Sequence, residues 1–174
     1  MIQLNSKELR KSEPTNSDLK KIKRNPIYLV LDRIIDTYNI GSLFRLADAI
    51  AAEKIYLCGD MEYPPSSRIH KAAVGTETWV PWKKTGSTLK TIQGLKKINI
   101  QIIVVEQNPR SISYKDFNPN FPCAIVVGNE TGGIDTKIIN KADIIVELPM
   151  FGINKSFNVW GSAAVVAYKV LEHL

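Results

Sequence analysis

The sequence has few of the residues that build metal sites, disulfide frameworks or membrane spans. It contains 2 cysteines and 2 histidines, and Cys58 and Cys123 each lie inside an apolar run. This pattern favours reduced core thiols in a cytosolic protein over a disulfide or a zinc site. No apolar run approaches the roughly 18 residues of a membrane span, and Met1 is followed by a polar stretch, so neither an anchor nor a signal peptide is expected. A secreted, membrane or zinc-built protein is therefore disfavoured.

The composition is otherwise that of a globular chain with an excess of basic charge. Hydrophobic residues make up 44% of the 174 positions and charged residues 23%, and the net charge is +6. Residues 1–24 hold 7 basic and 3 acidic side chains, which is +4 of that total. Such a concentration favours a polyanionic partner, although a solvated tail explains the charge equally well. We expect a basic arm over 1–24, loosely ordered or a short helix, and one domain over 25–174.

Apolar periodicity along the domain predicts strands that alternate with helices. The strands are continuously apolar, which is typical of a mostly parallel sheet with helices on both faces. The fold class is therefore α/β. The predicted strands cover 27–31, 54–58, 78–81, 100–105, 123–127 and 144–148, and the predicted helices cover 40–50, a segment before Ala73, 87–97, 134–140 and 156–174.

A glycine-rich segment over 128–134 connects a predicted strand to a predicted helix. Ligands of parallel sheets gather at the carboxyl ends of strands, and glycines let backbone amides approach a ligand closely. The segment matches neither a dinucleotide-binding nor a triphosphate-binding glycine motif. Taken alone, it predicts either a ligand loop or a tight turn.

Two other segments carry polar residues beside predicted helices. In 149–158, Ser156 is a possible N-cap, and Asn158 in the first turn could reach a ligand or satisfy the backbone. In 39–45, Arg45 needs partners if it is buried in a largely apolar helix. Its spacing slightly favours a structural pair with Asp48 or Glu130 over a grip on a phosphate.

Together, these segments resemble the three ordered motifs of the SpoU–TrmH family of RNA ribose 2′-O-methyltransferases, within the SPOUT superfamily. The matching patterns are Asn39-x5-Arg45, then Gly128-Asn129-Glu130-x2-Gly133, then Leu148-Pro149-Met150-x-Gly152-x3-Ser156-Phe157-Asn158-Val159. The segment 70–77 also looks like the family's stretch between the second and third strands. The resemblance covers about residues 26–172.

The resemblance implies a fold and a cofactor that composition and periodicity do not reveal. The fold is an α/β domain whose C-terminal segment forms a deep trefoil knot, a rare exception to ordinary topology. The family binds S-adenosylmethionine in the knot, largely through backbone groups, and works as a homodimer whose sites are completed across the interface. By position, the cofactor-binding residues would be Val105, Glu106, Gly128, Asn129, Gly133, Leu148, Pro149, Met150, Ser156, Asn158 and Val159.

The resemblance also implies roles for the motif residues. Arg45 matches the family's proposed general base, but an arginine stays protonated, so binding the phosphate beside the target ribose is the alternative role. Asn39 and Glu130 would position Arg45 and the ribose, while Ser156 and Asn158 would hold the cofactor loop and the substrate. No metal is expected. The expected RNA contacts are Arg45, Arg68, His70, Lys71, Lys20, Lys21, Lys23 and Arg24.

The leading interpretation is methylation of a ribose 2′-hydroxyl of RNA, in tRNA more than in rRNA, by a cytoplasmic homodimer. One departure from the family pattern is Trp160, which stands where a small polar residue is usual and could pack in the dimer interface or crowd the site. An inactive RNA-binding dimer of the same fold is the first alternative. A different small-molecule α/β enzyme with motifs that match by chance is the second.

Overall fold

The computed structural model describes residues 14–174, in which strands and helices alternate along most of the chain. The helices are α1 (Asn16–Lys20), α2 (Thr37–Ala49), α3 (Ser67–Ala73), α4 (Thr88–Lys97), α5 (Thr136–Ile139) and α6 (Val159–Leu171). The strands are β1 (Asn25–Asp32), β2 (Ala52–Cys58), β3 (Trp82–Thr85), β4 (Gln101–Val105), β5 (Ile112–Ser113), β6 (Cys123–Gly128) and β7 (Ile144–Glu147). None of the helices in 14–174 is long and apolar enough to cross a membrane.

The strands form one sheet of 7 strands in the order β3-β2-β1-β6-β4-β7-β5. Every pair of neighbours is parallel. In the middle of the sheet β1 lies beside β6, with Ile27 opposite Cys123 and Asp32 opposite Gly128. Because all the strands run in the same direction, their carboxyl ends lie along one edge of the sheet, and a parallel sheet binds its ligands at these strand ends.

Helices cover both faces of the sheet, as its continuously apolar strands predict. On one face, Leu29, Leu31 and Ile125 pack with apolar residues of α2, α3 and α6. On the other face, Val30 and Val126 pack with apolar residues of α4 and α5. Adjacent residues of one strand therefore point to opposite faces of the sheet and pack in different hydrophobic cores. This arrangement confirms the predicted α/β architecture.

The predicted strand over 78–81 is wrong, and two real strands were missed. Residues Thr76–Thr78 form a 3-10 turn, and the backbone N–H of Val80 donates to the Thr76 carbonyl, so this stretch is coiled rather than extended. Pro81 then precedes β3 rather than ending a strand. The two missed strands, β3 and β5, have only 4 and 2 residues and lie at the sheet's edges, where the apolar signal is weak.

Three predicted helix starts shift once the side-chain caps are seen. The helix predicted over 40–50 begins at Thr37, and Asp36 caps it by accepting from the Tyr38 N–H. Asn158, rather than Ser156, caps α6 by accepting from the Trp160 N–H. The helix predicted over 134–140 is only Thr136–Ile139. In each helix a polar side chain at the boundary between loop and helix accepts from a free backbone N–H, and in α6 this residue is the motif residue Asn158.

The part of the predicted arm within the described residues contains α1, and Thr15 and Asp18 cap it reciprocally. The arm's last residue, Arg24, is attached to the domain, because its guanidinium donates to the carbonyls of Ala52 (2.9 Å) and Trp79 (3.2 Å). The basic residues Lys7, Arg10 and Lys11 lie outside the described residues.

Candidate active site

A cavity of about 530 Å³ opens at the edge of the sheet where β4, β6 and β7 end. This volume is in the usual range for a small-molecule site. Of the eleven residues predicted to bind the cofactor, all but Pro149 line the cavity. Pro149 lines a smaller cavity next to it, which shares Leu148 and Met150. The cavity lining also includes residues to which no site role was assigned from the sequence, namely Gln107, Val127, Thr131, Glu147, Asn154, Phe157 and Ser162.

Two glycines shape the wall of the cavity. Gly133 has a φ of +62°, and a Cβ atom there would lie 2.7 Å from Oε2 of Glu106. A Cβ atom at Gly128 would overlap the side chain of Ile134. A side chain at Gly128 would therefore overlap its neighbours, and one at Gly133 would displace the Glu106 carboxylate and adopt a backbone conformation that favours glycine. Glu106 fits closely against the loop because Gly133 has no side chain.

Hydrogen bonds join one residue from each of the three motifs at the cavity. Nδ2 of Asn39 donates to Oε1 of Glu130 at 2.8 Å. Nδ2 of Asn158 donates to Oδ1 of Asn39 at 3.1 Å. Glu130 and Asn158 line the cavity, and Asn39, only 4% exposed, lies behind them. Because both ends of the Asn39 amide are used, this buried side chain fixes the positions of the other two.

The carboxylate of Glu130 is also held by the backbone before α2. The N–H groups of Ile35 and Asp36 donate to its two oxygens at 2.9 and 3.1 Å. Burial acts to raise the pKa of Glu130, but hydrogen bonds from the Ile35 N–H, the Asn39 amide and the Asp36 N–H outweigh it and lower the pKa. Glu130 is therefore a fixed, ionised acceptor, which suits a positioning role better than proton transfer.

Arg45 is exposed and forms no ion pair with any described residue. The structural pair predicted with Asp48 or Glu130 is wrong, because Asp48 accepts from Nε1 of Trp79 at 2.7 Å and Glu130 is held as described above. Arg45 also does not line the cavity. It lies one turn after Gly41, which packs against the backbone of α3, so the two share the side of α2 that faces α3.

The other predicted RNA contacts are distributed over two surfaces. Arg68, His70 and Lys71 are exposed on α3, and Nδ1 of His70 lies 2.5 Å from Oε1 of the buried Glu77. Arg45 and the α3 residues thus lie on adjacent helices. Lys20, Lys21 and Lys23 are exposed near α1, with Lys21 3.8 Å from Asp18. Arg24, whose guanidinium already bonds two carbonyls, has a visible structural role.

The cavity is acidic, although the protein as a whole is basic. The part of its lining that residues 14–174 form contains the carboxylates of Glu106, Glu130 and Glu147 and no lysine, arginine or histidine. Glu106 accepts from the backbone N–H groups of Gln107 and Ile134, both at 3.0 Å. Among residues 14–174, these three carboxylates included, no group of three or more His, Cys, Asp or Glu side chains is arranged to hold a metal ion.

Comparison with known proteins identifies the family. The family model described as "SpoU rRNA Methylase family" matches residues 26–168. The chain belongs to this family. The match extends from β1 into α6. It includes Asn39, Glu130 and Asn158, the hydrogen-bonded set at the cavity.

The chain is also similar to individual RNA methyltransferases, in sequence and in fold. A 23S rRNA (guanosine-2′-O-)-methyltransferase of Neisseria meningitidis is 31% identical over 148 residues, which is 85% of this chain and 59% of that protein. The AdoMet-bound rRNA methyltransferase of Sinorhizobium meliloti has a TM-score of 0.81 at 23% identity, covering 97% of this chain and 69% of that one. A TrmH/SpoU tRNA modifying enzyme of A. aeolicus has a TM-score of 0.80 at 21% identity, covering 97% and 81%. The chain spans under three fifths of the length of the first curated relatives it matches.

Proposed function

We propose that this SpoU-family protein transfers a methyl group from S-adenosylmethionine to a ribose 2′-hydroxyl of RNA. The observation that carries the proposal is the hydrogen-bonded set of Asn39, Glu130 and Asn158 at the cavity. These residues come from three distant parts of the sequence and meet at the ligand-binding edge of the sheet. An intact set of this kind argues against the inactive-dimer alternative.

The cavity residues fit the proposed cofactor. Val105, Val127 and Leu148 supply apolar surface for an adenosine, while Asn154 and Ser156 supply polar groups for an amino acid moiety. Gly128 and Gly133 also line the cavity, and the loop packs closely there because neither residue has a side chain. When bound, the cofactor supplies a methyl group already activated by the positive charge on its sulfur. The protein must therefore orient the ribose oxygen, and orientation alone lowers a reaction barrier by several kcal/mol.

Arg45 takes an electrostatic role in this proposal. Its guanidinium remains protonated at neutral pH, so it binds an RNA phosphate next to the target ribose and stabilises negative charge developing on the hydroxyl oxygen. The proton of the hydroxyl passes to water. Asn158 and Glu130 hold the ribose at the cavity, and Asn39 positions both. The exposed residues Arg68 and Lys71 on α3 extend the phosphate-binding surface.

We further propose a homodimer in which Arg45 serves the cavity of the partner subunit. Support comes from the absence of Arg45 from the lining of its own cavity. Exposed apolar side chains also flank the Asn39–Asn158 hydrogen bond, including Tyr38 (64% exposed) and Trp160 (42% exposed). Aromatic residues of this kind are typical of the centre of a protein interface. Trp160 therefore packs in the interface rather than in the cavity.

The proposal extends to the threading, location and substrate of the protein. The family's trefoil knot would involve the loop after β4 and the loop after β7, which are tied by Nε2 of Gln107 donating to the Lys155 carbonyl at 2.6 Å. An experimental structure tests this threading.

Two buried free cysteines support a reducing cytoplasm as the location of the protein. For the substrate we propose tRNA, held by the domain 25–174 and the arm 1–24, with rRNA favoured instead by the Neisseria relative.

Methyl transfer from isotopically labelled S-adenosylmethionine tests the proposed reaction. Purified protein is incubated separately with unmodified tRNA and rRNA, and the labelled RNA is hydrolysed in alkali. A 2′-O-methyl group blocks cleavage at its own phosphodiester bond, so the label should appear in alkali-resistant dinucleotides. Label in mononucleotides would indicate base methylation and refute the ribose assignment. No transfer to either RNA, with cofactor binding intact, would favour the inactive dimer.

Paired variants test the shared site. Arg45→Ala should bind the cofactor without transferring methyl groups, and Gly133→Val should lose cofactor binding. Both variants are co-expressed with different tags, and the mixed dimer is purified through both. If Arg45 acts on the partner's cavity, the mixed dimer has one complete site and about half of wild-type activity. An inactive mixed dimer would contradict the shared site, and a monomer in solution would contradict the dimer.

A further inference from the structure

The acidic lining of the cavity bears on which form of the cofactor it holds. We infer that Glu106 and Glu147 make the cavity selective for the charge of its ligand, favouring the cationic methyl donor over the neutral product. This inference rests on the proposed function, since it assumes that the cavity is the cofactor site.

Glu106 and Glu147 occupy neighbouring positions at the ends of two adjacent strands. Val105 is paired with Val146 in the parallel register of β4 and β7, and the Glu106 N–H donates to the Val146 carbonyl at 3.1 Å. Glu106 and Glu147 directly follow this pair, and both line the cavity. Two negative charges therefore line one small volume.

Neither carboxylate is neutralised by a cation among residues 14–174. Within the described part of the chain, Glu106 accepts only from the backbone N–H groups of Gln107 and Ile134. Oε2 of Glu147 accepts from the Ser111 hydroxyl at 2.6 Å. Lys155 lines the adjoining smaller cavity and not this one. Because these partners are neutral dipoles, the cavity keeps a net negative charge.

Methyl transfer changes the charge of the molecule in the cavity. The donor carries a sulfonium, an ammonium and a carboxylate, a net charge of +1. As the ribose oxygen bonds to the methyl carbon, the carbon–sulfur bond breaks, its electron pair returns to sulfur and the hydroxyl proton leaves to water. The product is a neutral thioether of almost the same shape. Hydrogen bonding and apolar contacts hardly distinguish the two molecules, whereas a negative cavity does.

Calorimetric titration with three ligands tests this selectivity. They are S-adenosylmethionine, S-adenosylhomocysteine and sinefungin, in which a protonated amine replaces the methylsulfonium. The wild-type protein should bind both cationic ligands about tenfold more tightly than S-adenosylhomocysteine, which corresponds to about 1.4 kcal/mol. Glu106→Gln and Glu147→Gln should each reduce this preference by roughly threefold, and the double variant should abolish it. Glu172→Gln, at the opposite end of α6 from the cavity, is the matched control and should leave the preference unchanged.

The outcomes separate this inference from the proposed function. If the Gln variants weaken all three ligands equally, the carboxylates act as hydrogen-bond acceptors, and charge selectivity is overturned. Equal binding of the donor and S-adenosylhomocysteine by the wild-type protein overturns it as well. If the folded wild-type protein binds none of the ligands, the proposed cofactor site itself fails. Circular dichroism and thermal melting of each variant confirm that it is folded.

Discussion

Replacing Asn39 by Asp tests the hydrogen-bonded set at the cavity with almost no change of shape. In the wild-type protein Nδ2 of Asn39 lies 2.8 Å from Oε1 of Glu130 and donates to it. In the variant a carboxylate oxygen takes the place of that donor. Two unit charges at this distance repel by about 6 kcal/mol at an effective dielectric constant of about 20. Because Glu130 is more than a third exposed, solvent screening reduces the expected cost to about 3 kcal/mol.

The destabilisation should depend on pH in a defined direction. Hydrogen bonds lower the pKa of Glu130 in the wild-type protein, so its stabilising effect is full above its unfolded pKa and is lost only in acid. In Asn39→Asp the two carboxylates share one site, which raises the folded pKa of the pair. The variant should therefore lose most stability near pH 8 and regain it as the pH falls through the raised pKa towards about pH 5.

Thermal unfolding between pH 5 and pH 8 measures this effect. A cost of about 3 kcal/mol lowers the Tm by roughly 6–12 °C in a domain of this size. Asn39→Ala is the control, since it removes the hydrogen bonds without adding charge and should give a deficit that changes little with pH. Adding Glu130→Gln to Asn39→Asp restores a donor–acceptor pair and should recover at least half of the lost Tm. Parallel pH curves for Asn39→Asp and Asn39→Ala would refute the electrostatic reasoning.

Three further predictions address the loop, the basic surface and the core. Gly133→Ala should lower the unfolding free energy by about 1–3 kcal/mol, because of its φ of +62° and the displaced Glu106, and should weaken cofactor binding in calorimetry. The control Gly152→Ala should change neither quantity, since no atom of the described residues lies within 4 Å of a Cβ there. Lys71→Ala should weaken RNA binding and lower the slope of log K against log salt by about 1 in filter-binding assays, and an unchanged slope would remove Lys71 from the interface. Burial raises the pKa of Cys123 to about 12 and also raises that of Cys58, so a disulfide reagent at pH 8 should label neither thiol before unfolding and both afterwards.

Secondary structure was predicted best where one hydrophobicity pattern extends over a whole strand or helix. Continuously apolar runs such as 123–127 predict buried parallel strands, because only a sheet covered on both faces buries adjacent residues together. The edge strands β3 and β5 carry no such signal. In β3 the two central residues, Lys83 and Lys84, are exposed lysines, and pairing with β2 makes this segment a strand.

The sequence indicated which residues belong to the candidate site, but it did not indicate how they are arranged in space. The motif pattern indicates Asn39, Glu130 and Asn158, but no local rule shows that the amide of Asn39 joins the other two across 91 and 119 positions of the chain. The acidic residue Glu147 was missed because it belongs to no motif. It reaches the cavity only through the register of β7 beside β4. In the proposed dimer the role of Arg45 depends on a second subunit, which the order of residues does not describe.

The central strand pair also constrains how a newly synthesised chain can fold. β1 is complete at Asp32, but its partner β6 begins only at Cys123, so the middle of the sheet closes over a separation of 96 residues between Ile27 and Cys123. At about 5–20 residues per second, a ribosome needs on the order of 5–20 s to supply that partner. Until then the apolar edge of β1 facing β6 stays unpaired and open to association with other chains. The nascent protein therefore has a window of several seconds in which a chaperone is most useful.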